Sequence, residues 1–224
     1  MKSRVLFTSL LMASSISIAN AEEGLGSEKQ KLSYAVGVQI GEDLKRNGMD
    51  IDASSVAMAI DDIMTGSKPK LTMEEMQTLF TDYQQREMAK KELASQANKA
   101  EGEAFLAENK DKDGVTVLPS GLQYKVITVG TGKQPTAEST VSVHYRGTLL
   151  NGAEFDSSYK REAPATFPVN GVIKGWTEAL QLMKEGAKWQ LFIPSDLAYG
   201  ARGAGADIGP NSVLTFDVEL LSVE

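Results

Sequence analysis

The residues best equipped for chemistry lie in one stretch, VHYRGTLLNGAEFDSS, residues 143–158. It holds His144, the only histidine of the chain, beside Tyr145, with Asp156 eleven positions beyond the tyrosine. A histidine, a phenol and a carboxylate are the ingredients of an acid-base centre. Strand alternation argues against that use here. From Thr140 to Arg146 apolar and polar residues alternate, so Val141, Val143 and Tyr145 share one face while Ser142, His144 and Arg146 share the other. The tyrosine goes with the core and the histidine with the outer face.

Other chemistries find no support in the sequence. One histidine and no cysteine leave only carboxylates as metal ligands, and none is spaced as a ligand set. A serine triad would have to use His144, and there is no G-x-S-x-G elbow. The run Gly200-Ala-Arg-Gly-Ala-Gly is glycine-rich, yet no Gly-Lys-Ser/Thr follows it. Asp111-Lys112-Asp113-Gly114 begins like a calcium loop but lacks the rest, and reads as a plain turn. No metal or cofactor is expected.

The elements that must position these residues fall into two parts. Residues 22 to about 112 read as helical. Ser27 to Gln30 fits a capping box, followed by Leu32, Ala35, Val36, Gln39 and Ile40 at helical spacing. A second helix, from about Ala53 to Met64, carries Val56, Ala59, Ile60 and Ile63 as its apolar stripe. Thr72 to Glu75 is another capping box and opens a run without proline until Pro119. If helical from Met73 to Asn109, that run is about 55 Å long at 1.5 Å per residue. Past Tyr83 it is mostly polar, so it reads as a solvated spacer. Six of the nine methionines fall between Met49 and Met88, which suggests an adaptable apolar surface. Two short helices supply little core of their own, so pairing with a second copy through residues 22–88 is expected.

From about residue 113 the pattern changes to strands and turns. Gln123 to Ile127 and Thr140 to Tyr145 read as strands, and Asn151-Gly152 is a strong hairpin signal. A short helix around Trp176 to Met183 is followed by strands from Lys188 to Ile193 and from Val213 to Leu221. The reading is α+β, with segments 1–21, 22–72, 73–112 and 113–224.

The chain has 224 residues, 42% hydrophobic and 24% charged, as in a soluble globular protein. A net charge of −7 argues against nucleic acid as a main partner. Residues 1–21, MKSRVLFTSLLMASSISIANA, place Lys2 and Arg4 before an apolar run and end in a small-x-small pattern, as secretory signal peptides do. The run is shorter than the ~20 residues that a membrane span needs. Cleavage after Ala21 leaves an exported chain with no integral membrane segment and, lacking cysteine, no disulfide and no thiol-linked lipid.

The stretches VHYRGTLLNGAEFDSS, VIKGW, LAYGARG and VLTFDVELL, in this order across residues 114–224, resemble the FKBP family of peptidyl-prolyl cis-trans isomerases. The layout of the first half is similar to the macrophage infectivity potentiator (Mip) type of bacterial FKBP, which implies a V-shaped periplasmic or surface dimer. The resemblance implies a half-barrel antiparallel sheet wrapped round a short helix, preceded by an all-α dimerisation domain and a long spacer helix. It implies a pocket with Trp176 as floor, lined by Tyr145, Phe155, Phe167, Val172, Ile173 and Phe216, with Tyr199 and Ile208 at the rim. Asp156 would bond the hydroxyl of Tyr145, with Arg161 steadying the carboxylate, and the Ile173 N–H and Tyr199 hydroxyl would donate to ligands.

Two departures stand out: Ala165 where many members carry an aromatic, and an extra acid, Asp207, in the rim loop. The implied partners are proline-containing unfolded or partly folded polypeptides and macrolide inhibitors. The implied activity is X-Pro isomerisation that assists folding of exported proteins. The alternative is a dimeric holdase or a surface virulence or adhesion factor with incidental isomerase activity.

Overall fold

The computed structural model describes residues 24–224, so residues 1–21, expected to be a signal peptide, lie outside the described residues. The chain divides into two compact units between Asp43 and Leu44.

Helix α1, Glu28–Arg46, supplies most of what is described of the first unit. Its capping box is formed: the Gln30 N–H donates to Ser27 Oγ at 3.2 Å and the Ser27 N–H donates to Gln30 Oε1 at 2.9 Å. No residue of α1 is buried, and Leu32 is 67% exposed.

In the second unit, α2 spans Ala53–Met64 and starts on Asp52, whose Oδ2 accepts from the Ser55 N–H at 2.8 Å. Hydrogen bonding from the Ser55 side chain, then from the Ser54 side chain, together with that N–H, holds the Asp52 pKa down at about 2. Helix α3, Met73–Asn109, opens on the Thr72–Glu75 capping box.

The expectation of a solvated spacer holds only for the first part of α3. From Ser95 onward, residues 95, 98, 102, 105 and 109 recur at spacings of three and four, which is one helix face. Gly102 and Asn109 on that face are buried. Asn109 Nδ2 donates to Gln123 Oε1 at 2.9 Å, Gln123 Nε2 donates to the Leu106 carbonyl at 2.8 Å, and Phe105 meets Phe192 at 5.8 Å. The face is built from small and amide side chains, so a search for apolar periodicity passes over it.

The remaining chain forms a seven-stranded antiparallel sheet. Its strands are β1 (Val115–Val117), β2 (Gln123–Thr128), β3 (Thr140–Leu149), β4 (Glu154–Ser157), β5 (Ala165–Pro168), β6 (Lys188–Ile193) and β7 (Leu214–Val223). The spatial order is β1-β2-β6-β7-β3-β4. β5 pairs with β3 over Thr140 to Val143, and β4 with β3 over Arg146 to Thr148.

Alternation decides which face is covered. On β3 the buried residues are Val141, Val143, Tyr145 and Gly147; on β7 they are Leu214, Phe216, Val218 and Leu220. Helix α4, Lys174–Leu180, contributes Trp176, Ala179 and Leu180 to the same core. An ideal Cβ at Gly175 would stand 2.5 Å from Ile193 Cγ2, so α4 approaches β6 as closely as a glycine allows.

Candidate active site

Five elements and two loops converge on one shallow cavity of ≈ 110 Å³. β3 carries Tyr145. The chain then reverses at Asn151-Gly152, where Gly152 has φ +84 and Asn151 Oδ1 accepts from the Ala153 N–H at 2.9 Å, and β4 returns Phe155 and Asp156. β5 brings Phe167, the turn before α4 brings Val172 and Ile173, α4 brings Trp176, a short 3-10 turn brings Tyr199, and β7 brings Phe216.

The apolar wall is a network of edge-to-face ring contacts. Trp176 meets Tyr145 at 5.2 Å and 89°, Phe216 at 5.3 Å and 80°, and Phe167 at 6.0 Å and 90°. Phe155 meets Phe216 at 5.5 Å and 86°. Each such pair adds about 0.5–1.5 kcal/mol beyond its buried area. The rings close up because β3 carries a glycine where they meet: a Cβ at Gly147 would stand 2.6 Å from Phe155 Cζ and 2.7 Å from Phe216 Cε1.

Polar groups stand at one side of this wall. Tyr145 Oη donates to Asp156 Oδ2 at 2.5 Å, and Arg161 donates to Asp156 Oδ1 and to Tyr145 Oη, both at 2.7 Å. The guanidinium also lies 5.5 Å over the Tyr145 ring. Partial burial pushes the Asp156 pKa up, but the bonds from Tyr145 and Arg161 outweigh it and hold the carboxyl below its ordinary range. Burial, then the bond to Asp156, pushes the Tyr145 phenol up, so it keeps its proton. Deeper in, Trp176 Nε1 is buried and has no hydrogen-bond partner among the described residues.

Nine of the eleven residues expected at the site border the cavity. Arg161 does not, but it is bonded to two residues that do, Asp156 and Tyr145. Ile208 does not border it either: it is 8% exposed, belongs to the hydrophobic core and pairs with Ala204 across the loop. Tyr199 is 41% exposed at the cavity's edge. With Ala165 opposite Val143 on β3, the β5 wall is Phe167 alone.

His144 lies outside the cavity, stacked on Tyr159 at 4.9 Å, with Nδ1 3.0 Å from Ser158 Oγ. Ser158 itself was not singled out by sequence. It is fully buried, and its Oγ accepts from the Tyr145 N–H at 2.9 Å while its own N–H donates to the Tyr145 carbonyl at 3.0 Å. It thus fixes the strand under Tyr145. The only signal for it in the sequence was a small residue just after Phe155-Asp156.

Residues 131–221 match the family described as FKBP-type peptidyl-prolyl cis-trans isomerase, and residues 29–126 match the domain amino terminal to it. The chain belongs to the FKBP-type peptidyl-prolyl cis-trans isomerase family. It is similar to the outer membrane protein MIP of Legionella longbeachae, 46% identical over 98% of this chain and 97% of that one. It is also similar to the FKBP-type 22 kDa peptidyl-prolyl cis-trans isomerase of Escherichia coli, 44% identical over 85% of this chain and 93% of that one. Among solved structures, FkpA from Escherichia coli aligns with a TM-score of 0.62 at 35% identity, covering 90% of this chain and 99% of that one.

As an FKBP, the protein is an enzyme that interconverts the cis and trans forms of X-Pro bonds in proline-containing chains. The relatives favour this over the holdase or adhesion alternative. No helix among the described residues is long and apolar enough to cross a membrane.

The ion pair in this FKBP site has a consequence in acid. The folded pKa of Asp156 lies below the unfolded value of about 3.9, so the pair adds stability above that pH and loses it as acid carries the carboxyl through its depressed value. Carbon-13 NMR of the Asp156 carboxyl should give a midpoint below the ordinary carboxylate range, and Arg161→Ala should raise it. A midpoint at or above the ordinary range would contradict the geometry.

Proposed function

We propose that the aromatic cavity is where the X-Pro bond turns, with Asp156, Tyr145 and Tyr199 as catalytic groups and Phe155, Phe167, Val172, Ile173, Trp176 and Phe216 as the substrate-binding wall. Arg161 assists through Asp156, and Ile208 through the rim loop. The observation that carries this reading is the meeting of six aromatic rings with a single charge-paired polar edge in one cavity.

The barrier to rotation about a peptide bond is ~18–20 kcal/mol because twisting removes amide resonance. No bond is made or broken, so neither a nucleophile nor a proton shuttle is needed. A planar amide is more polar and better hydrated than a twisted one. A cavity that replaces that water with rings therefore disfavours the planar form more, and each ~1.4 kcal/mol of difference is tenfold in rate.

The rings hold the proline by contact area, and the polar edge orients the amide. The Asp156 carboxylate is held charged and steady, suited to facing the carbon of the twisted carbonyl rather than taking a proton. The Ile173 N–H makes no hydrogen bond among the described residues, which leaves it available to a substrate carbonyl. Macrolide inhibitors would occupy the same cavity.

The wider reading is an exported folding catalyst. Residues 1–21 would direct export and be removed, placing the protein in the periplasm, with outer-membrane or surface association left to its partners. Residues 22–72 would form the dimerisation domain, 73–112 the connecting helix and 113–224 the isomerase domain.

Pairing of two copies is supported by what is left uncovered. Helices in proteins draw most of their stability from packing an apolar face, yet Leu32, Val36 and Ile40, on one side of α1, are all exposed, as are Ile60, Ile63, Met64, Met73 and Phe80 in α2 and α3. A second copy of the same segment offers the same apolar surface in return. Two joined copies present two isomerase sites to one client polypeptide.

Two outcomes test this. Asp156→Ala should lower kcat/KM in an NMR cis-trans exchange assay by about ten- to a hundredfold, the range for losing a charged hydrogen-bond partner, with the melting curve little moved. His144→Gln should keep the rate, since the histidine lies outside the cavity; comparable loss in both would refute the assignment. For assembly, sedimentation should give twice the mass of one chain, and Leu32→Glu should halve it while leaving activity on short peptides intact. A monomer at all concentrations would remove the dimer.

A further inference from the structure

The cavity's most exposed member, Tyr199, stands at the head of a long loop. From Ala198 to Val213 there is no strand or α-helix, only a 3-10 turn at Gly200–Arg202 and the Ala204–Ile208 bridge. Loops of this length have many conformations unless something outside them fixes one. Ile208 anchors the middle of this loop in the core, and α3 holds the segment from Gly209 to Val213.

Asn98 Nδ2 donates to the Pro210 carbonyl at 2.9 Å and to Ser212 Oγ at 3.3 Å. Asn211 Nδ2 donates to Ser95 Oγ at 2.7 Å, while the Asn211 backbone N–H donates to the Gly200 carbonyl at 2.8 Å. Asn211 thus ties the helix to the residue next to Tyr199. It does so at φ +56, a left-handed conformation that an asparagine adopts at some cost and that its partners must hold.

The approach is close. A Cβ at Gly209 would stand 2.9 Å from Asn98 Nδ2, and one at Gly102 only 2.6 Å from Val213 Cγ2. Side chains larger than those present would push the helix and the loop apart. None of these contacts reaches Tyr145, Asp156 or Trp176, which β3, β4 and α4 position independently.

We propose that Ser95 and Asn98 of α3 are positioning residues for substrate selection: by clamping Pro210, Asn211 and Ser212 they set where the Tyr199 edge of the cavity stands. The helix that joins the two halves of the chain is then part of the isomerase's specificity apparatus. Chain on either side of the proline meets that edge, so the clamp governs binding and preference more than the turning of the bond.

The test uses full-length protein and proline peptides that differ in the residue before proline, with kcat and KM measured separately. Losing one or two neutral hydrogen bonds corresponds to about three- to tenfold. Ser95→Ala with Asn98→Ala should therefore raise KM by about that factor, unequally across the peptides, with kcat within about twofold. Ser95→Thr, which keeps the hydroxyl, should behave as wild type, as should Lys91→Ala on the exposed part of α3.

The amide NMR signals of Tyr199, Gly200 and Gly209 should move in the double variant while that of Asp156 stays. Asn211→Gly removes the side-chain tie without straining the backbone, and should reproduce the effect if the double variant fails to fold. KM and preference unchanged in these variants would overturn the proposal. So would a loss uniform across peptides that follows a lowered melting temperature.

Discussion

The indole of Trp176 meets Tyr145, Phe167 and Phe216 edge-on at 5.2–6.0 Å, and these contacts fix how α4 stands against the sheet. They require rings arriving from three different strands at once, which is why the site needs long-range sheet pairing rather than a local motif. Glycines make the approach possible: Gly175 lets α4 sit on β6, and Gly147 lets the rings of Phe155 and Phe216 meet over β3. The same packing that closes the core therefore shapes the cavity, and the outermost layer of the core is the cavity's wall.

Against this apolar surface the polar groups are few and already paired. Asp156, Tyr145 and Arg161 satisfy one another, so they present a fixed field without a strongly basic or acidic group. That arrangement is poorly suited to proton transfer and well suited to a reaction in which an amide changes only its polarity.

Much of this was legible in the sequence because its signals were local. Alternation on β3 placed Tyr145 inside and His144 outside, Asn151-Gly152 marked the hairpin that returns Asp156, and both capping boxes appear where Ser27 and Thr72 predicted them. Less legible were contacts made by small or amide side chains. Ser158 under Tyr145 and the Ser95-Asn98-Gly102 face of α3 carry no hydrophobic period, so α3 read as solvated where it packs. Ile208 packs into the core, with its backbone bridged to Ala204 four residues earlier, and which way its side chain turns depends on tertiary packing that no short pattern contains.

The central claim is that the bond turns through exclusion of water by rings, with no proton in flight. It is tested most directly by the catalysed cis-trans exchange rate of one proline peptide in H2O and in D2O, at matched pH and pD across the neutral range. The account predicts the same rate in both solvents and no dependence on a group titrating near neutrality. A clearly slower rate in D2O, or a rate that follows the ionisation of His144, would contradict it.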